Sequence, residues 1–195
     1  MTRSIPILLI SLLLTTSPRH ASAQATRDNK QHRFSVYLGA GPNFYFNNLI
    51  FLKTRVNEFN YSFSGKIMWE PEHRLSIGLE TGYFRLYGID LSGPKNSKVR
   101  NSAIPIQLVV TMRVLKSFYG SFSIGRAFLI NDVTTDAYGN FDATTFSLAD
   151  FSATAGYRKK LNDRYSIGID AKYYYSSKAE DSNVAVLGMI GYSFH

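Results

Sequence analysis

The chain has no cysteine in its 195 residues. Disulfide staples and a lipidated cysteine anchor are therefore excluded, and an exported fold must be held by strand pairing or a large buried face. Long apolar runs are also missing. After residue 23 the longest is Ile104 to Val110, interrupted by Gln107, far short of the roughly 20 residues a membrane-spanning helix needs. Histidine is scarce beyond residue 23, with only His32, His73 and His195. Acidic residues are outnumbered 14 to 22 by Lys and Arg, for a formal charge of +8. Two of those cations, Arg3 and Arg19, fall in the N-terminal leader. Most of the others are scattered singly along strands instead of gathered on one face, which argues against nucleic acid as a partner.

The leader itself is present and regular. Arg3 precedes an apolar core from Ile5 to Leu14, and Ala21-Ser22-Ala23 offers a small-residue site for cleavage between Ala23 and Gln24. This is the arrangement of a secretory signal peptide over residues 1–23. Residues 24–32 then form a short periplasmic segment, and residues 33–195 hold one domain.

Aromatics are abundant, with 14 Phe, 13 Tyr and one Trp, all beyond the leader. They fall into about eight segments of period-two alternation separated by Gly, Asn, Asp, Ser and Pro clusters. The segments are Arg33–Phe44, Asn57–Trp69, Arg74–Tyr87, Ala103–Val114, Phe118–Ile130, Phe146–Lys159, Tyr165–Tyr175 and Val184–Phe194. Short links near residues 70–73, 115–117 and 160–164 alternate with long ones near 45–56, 88–102, 131–145 and 176–183. Alternating short and long connections around an even number of strands is the outer-membrane pattern of tight periplasmic turns and longer external loops. The expected fold is all-β: an eight-stranded antiparallel up-and-down transmembrane β-barrel.

An eight-stranded barrel is just wide enough for side chains to fill its interior. The bulky faces must then point to lipid, and the faces carrying Gly, Ser, Thr and scattered charges must point inward. That assigns Lys66, Glu70, Arg74, Glu80, Arg113, Asp150, Arg158, Asp170 and Lys172 to a lumen charge network, five positive and four negative, read as a structural plug. Outward aromatics gather at both ends: Trp69, Phe118, Tyr157, Tyr165 and Tyr192 at the short turns, and Phe59, Tyr61, Tyr83, Tyr87, Phe128 and Tyr173 towards the long loops. One residue breaks the phase. Arg126 falls with Ile124 and Phe128 on the lipid side, unless a bulge near Gly125 turns it inward.

The stretches Ser35–Phe44, Ile104–Leu108, Phe118–Gly125 and Gly156–Tyr165 resemble the outer-membrane β-barrel domain family, the PorT-type and OmpA/OmpX-like small barrels of Gram-negative envelopes. The resemblance implies insertion by the outer-membrane assembly machinery. Tyr192 and Phe194 would then serve as the C-terminal barrel signal, although such barrels usually end on the aromatic itself and here His195 follows.

Candidate chemistry is sparse. Gly39-Ala-Gly41 lacks the third glycine and the helix of a dinucleotide loop. Acyl transfer or hydrolysis needs a His beside a Ser on the outer side, and all three mature histidines map to the periplasmic side. Asp132, Asp136 and Asp142 lie in a presumptive solvated loop without the spacing of a calcium loop. Leu49-Ile50-Phe51-Leu52, followed by Lys53 and Arg55, is a candidate loop contact. It would pack on neighbouring loops, touch the lipid interface near lipopolysaccharide phosphates, or meet a protein. The expected function is a non-enzymatic envelope protein, without cofactor or metal, in contact with outer-membrane lipid and lipopolysaccharide, with an unknown envelope protein as a further candidate partner. An accessory role in outer-membrane assembly or secretion is the second reading, and a small-solute pore the third.

Overall fold

A computed structural model describes residues 33–46, 56–71, 74–91, 97–135, 139–147, 149–178 and 181–194. Ten strands follow in chain order: β1 (Arg33–Phe46), β2 (Val56–Asn57), β3 (Phe59–Glu70), β4 (Leu75–Leu91), β5 (Ser97–Arg113), β6 (Phe118–Thr135), β7 (Gly139–Phe146), β8 (Asp150–Lys160), β9 (Tyr165–Ser176) and β10 (Asp181–Phe194). Eight of them close a wall in the order β4-β3-β1-β10-β9-β8-β6-β5, with β5 returning to β4. Every pairing is antiparallel. The fold is a closed eight-stranded barrel. The first and last strands meet in register, Phe34 opposite Phe194 and Leu38 opposite Ile190, so the wall has no free edge at the seam.

Period-two alternation sets which side chains see the lumen. Leu38 and Ile190 are each 64% exposed, while Tyr37 between its outward neighbours is 4% exposed. Phe34, Phe63, Ile67, Leu79, Ile106, Leu108, Phe122, Ile124 and Ile169 join the outward band. Aromatic pairs bracket that band. At the rim of short turns, Phe118 meets Tyr157 at 5.1 Å and Tyr165 meets Tyr192 at 5.2 Å. At the opposite rim, Phe44 meets Phe59 at 4.9 Å and Phe128 meets Phe146 at 4.5 Å. Aromatic girdles on both sides of an aliphatic belt are what a lipid-facing barrel wall requires.

Most strands are longer than the alternation suggests, with the large extensions at the loop rim. Residues 88–91 and 97–102, expected within a long connection, pair as strand from Gly88–Arg100 up to Leu91–Ser97. The acidic stretch expected as a loop is also strand: Asp132 pairs with Asp142 across β6 and β7. Together β4, β5, β6 and β7 rise beyond the wall as a sheet. Its lumen-side row runs Val56–Ile89–Val99–Val133–Phe141 across five strands. This row supplies the cross-strand packing that extends the pairing.

Two irregularities shape the upper wall. The register slips between Arg85 and Tyr87, a bulge that turns Tyr87 from the expected lipid girdle to the inside, where its ring lies 5.0 Å from Tyr45. The expected single strand from Phe146 is broken into β7 and β8. Ser147 anchors the break, since its N–H donates to Ala127 O at 2.9 Å and its Oγ accepts from Ala127 N at 2.7 Å. No bulge rescues Arg126, which pairs with Ile106 and stays exposed on the outer face.

Candidate functional site: the lumen and its two rims

Lys66 on β3, Glu80 on β4, and Asp170 and Lys172 on β9 all point inward because they share phase with Ser64, Gly82, Gly168 and Tyr174. The barrel brings them together at its centre. Lys172 Nζ donates to Glu80 Oε1 at 2.5 Å, Lys66 Nζ donates to Asp170 Oδ2 at 3.0 Å, and Lys66 lies 3.8 Å from Glu80. Two cations thus face two carboxylates, and all four residues are at most 2% exposed. The remaining acceptor sites are taken as well. Glu80 receives Ser64 Oγ at 2.7 Å and Ser123 Oγ at 3.0 Å, and Asp170 Oδ1 receives the Tyr119 hydroxyl. A buried charge is tolerable when its partners are this complete.

The other expected network residues lie apart from that centre. Asp150 sits above it, where its Oδ2 accepts the Tyr174 hydroxyl at 2.6 Å and its Oδ1 accepts Ser177 N–H at 3.1 Å. Glu70 lies towards the turn rim and accepts the Tyr37 hydroxyl at 2.8 Å. Arg158 places its guanidinium 3.7 Å from the Tyr37 ring centre and 4.4 Å from that of Tyr119, a cation–π sandwich. Arg113 ends β5 at the same rim. Arg74 differs from expectation. It is exposed in the turn before β4, where its main-chain carbonyl accepts Arg113 N–H at 2.7 Å. The strand parity that would have pointed Arg74 inward does not hold in a turn.

Aromatics do much of the plugging, which the small-residue reading of the inner face did not foresee. Phe84 stacks on Tyr174 with ring centres 5.1 Å apart and planes 14° apart, and Lys172 Nζ lies 5.5 Å from the Phe84 centre. Tyr45 caps the upper lumen and donates to Asp181. Gln107 accepts Ser152 Oγ at 2.7 Å. Stacked rings, paired charges and the Arg158 sandwich follow one another along the barrel axis, so side chains occupy the lumen at successive levels.

The outer wall has one shallow hollow of about 570 Å³, floored by Ala40, Gly65, Thr81 and Gly188 and flanked by Leu38 and Phe63. It lies in the lipid-facing belt and is apolar. Among the described residues no group of three or more His, Asp or Glu side chains could hold a metal ion. The cleavage pair Ala23 and Gln24, the loop residues Leu49, Ile50, Phe51, Leu52, Lys53 and Arg55, Asp136, and His32, His73 and His195 lie outside the described residues. Tyr192 and Phe194 close β10 on the outer face, their rings 4.9 Å apart.

Comparison with known proteins agrees with this architecture. No curated protein sequence matches the chain. Among solved structures, it is similar to Ail, the attachment invasion locus protein of Yersinia pestis, crystallised with the heparin analogue sucrose octasulfate. The TM-score is 0.59 at 12% identity, over 84% of this chain and 99% of that one. It is also similar to Neisserial surface protein A, with a TM-score of 0.50 at 12% identity, over 83% of this chain and 97% of that one. Identities this low speak for the fold alone. The family model for the outer membrane protein beta-barrel domain matches residues 9–194, and the chain belongs to that family.

Proposed function

We propose that this outer-membrane barrel is exported through the periplasm and works as a non-enzymatic binding protein of the cell envelope. Its ligand-facing part is the sheet that rises beyond the lipid belt. The observation that carries this reading is strand β7. Among the described residues it pairs with β6 alone, and β9 ends at Ser176, too low to cover it. Six of its eight residues from Gly139 onward are exposed in succession. An uncovered edge presents unpaired main-chain donors and acceptors, and an extended peptide can add to it as a further strand. Side chains set the chemistry of the addition. The row from Val56 to Phe141 asks for an apolar residue at the next position. Asp142 is adjacent to Asp132, whose charge Arg100 already faces across β5, so Asp142 asks for a cation.

The lumen supports the non-enzymatic half of the reading, because its charged groups are spent on one another. A photo-crosslinking residue at Thr144 tests the binding half in living cells. A discrete adduct at Thr144, absent from the same probe at Leu161 in the turn rim, is the expected result. Equal or absent labelling at both positions removes β7 as the binding edge and leaves a structural role in the membrane.

A further inference from the structure

Among the described residues the turn rim gathers five cations around a single carboxylate. Arg33 at the start of β1, Arg113 at the end of β5, Arg158 and Lys160 at the end of β8, and Arg164 in the turn before β9 line one narrow cavity. Glu70 is the one carboxylate among its lining residues, and its Oε1 is already engaged by Tyr37. Among the described residues none of the five cations has a carboxylate oxygen within ion-pair distance. The nearby Asp163 contributes only its main-chain carbonyl, which accepts Arg33 Nη2, while Arg33 Nε is buried with no partner at all. This contrasts with the centre of the same barrel, where every charge is matched.

We infer that the cavity is a binding site for one compact oxyanion of the phosphate class, entered from the periplasmic side. Short turns face the periplasm in such barrels. Several guanidinium groups converging on one point suit phosphate, which accepts paired N–H donors from each fork. Arg158 is held ready by the Tyr37 and Tyr119 rings, whereas Lys160 and Arg164 are exposed and free to close on the ligand. The closed part of the cavity is about 20 Å³, of the order of one water. It takes one oxygen or two of a compact group whose remaining oxygens sit in the open mouth, and not an extended molecule. Tyr165, which also lines the cavity, is 49% exposed on the outer wall. The opening therefore lies at headgroup level, and the phosphate can belong to an inner-leaflet phospholipid or to a free anion.

The test uses the full mature barrel with ¹⁵N-labelled arginine. In a non-ionic detergent, inorganic phosphate is titrated at constant ionic strength against chloride, and the Arg Nε–Hε resonances are followed. A parallel arm compares phosphatidylcholine nanodiscs with nanodiscs containing phosphatidylglycerol, without added phosphate. Saturable shifts of Arg33 and Arg158 in the first arm support a free-anion site. Shifts confined to phosphatidylglycerol support a lipid headgroup. Arg164→Gln and Lys160→Gln, both at exposed positions, should each raise the half-saturation concentration by about tenfold, the loss of one charge-assisted contact. Lys98→Gln, on the opposite rim, should leave it unchanged. Absence of a saturable shift in both arms, or equal effects of Lys98→Gln and Arg164→Gln, overturns the assignment.

Discussion

Tyr119 lies directly opposite Gly156, its ring occupying the space that any side chain at Gly156 would need, and its hydroxyl donates to Asp170. The same device recurs at the seam, where Tyr37 covers Gly191. In both pairs an absent side chain on one strand admits a large ring from the next, and the ring's hydroxyl then reaches a buried or rim carboxylate. At these two positions the narrow barrel admits an inward tyrosine because a glycine stands across from it, whereas the inward Tyr174 stands opposite Asn183 and Ser152.

Gly156→Leu should therefore destabilise the barrel without touching the lipid face. The added side chain meets both the Tyr119 ring and Asp170 Oδ1, so the ring must swing away and Asp170 loses a donor. Overpacking of this kind costs about 1–3 kcal/mol. Urea unfolding in phospholipid vesicles, scored by heat-modifiable gel migration, measures it. Gly139→Leu, at a glycine with nothing within 4 Å of the added Cβ but a φ of 82°, separates the packing cost from backbone strain. Its penalty should be the smaller, confined to the hairpin tip, and independent of Tyr119→Phe.

The central charges should behave as a coupled set. Glu80→Gln leaves Lys172 without its carboxylate and Lys66 with only Asp170, and an uncompensated buried charge costs about 3–5 kcal/mol. Combining it with Lys172→Met restores balance, with Lys66 and Asp170 still paired. The double variant should be more stable than Glu80→Gln alone. A double-mutant cycle from the same unfolding measurements gives the coupling, and strict additivity would show that the ion pair contributes nothing.

Much of this arrangement was legible in the sequence, and the exceptions have physical causes. Strand phase alone placed Lys66, Glu80, Asp170 and Lys172 inward, because each is flanked by outward Ile or Leu or Tyr at odd spacing. The aromatic plug was missed, although the sequence carried a signal for it. Tyr83-Phe84, Phe118-Tyr119 and Tyr173-Tyr174 are neighbouring aromatics, and period two obliges one of each pair to face the lumen. Composition cannot announce a bulge, so Tyr87 changed sides unforeseen. The rising sheet was hidden for a different reason. Above the lipid belt both faces of a strand meet water, and residues such as Lys98, Arg100 and Asp132 then resemble loop. Arg33, Arg113 and Arg164 are far apart in the chain and converge only because the barrel closes.

The filled interior sets an electrical expectation. The Phe84–Tyr174 stack lies above the charge network and Arg158 lies between two tyrosines below it, so side chains obstruct the lumen at three levels. Purified protein in planar bilayers should show no stepwise conductance. Phe84→Ala alone should not open it, because the ion-paired layer beneath remains. Regular steps from the unmodified protein would contradict the plugged lumen and revive the reading of a small-solute pore.

Arg126 gives a way to locate the bilayer on the wall. It is exposed on β6 between Ile124 and Phe128, two positions below the aromatic pair Phe128–Phe146. At that height a cation can lift its charged end to the headgroups, and its cost falls to about 0–1 kcal/mol. Leu108, in the middle of the outward row on β5 and 52% exposed, sits where the hydrocarbon is thickest. Leu108→Arg should cost ~2–4 kcal/mol, whereas Arg126→Leu should gain at most about 1 kcal/mol. Both are read from unfolding in vesicles of fixed acyl length. If the two substitutions shift stability by similar amounts in opposite directions, the belt between the girdles is misplaced. Arg126 would then lie at mid-membrane depth, and a headgroup could no longer account for it.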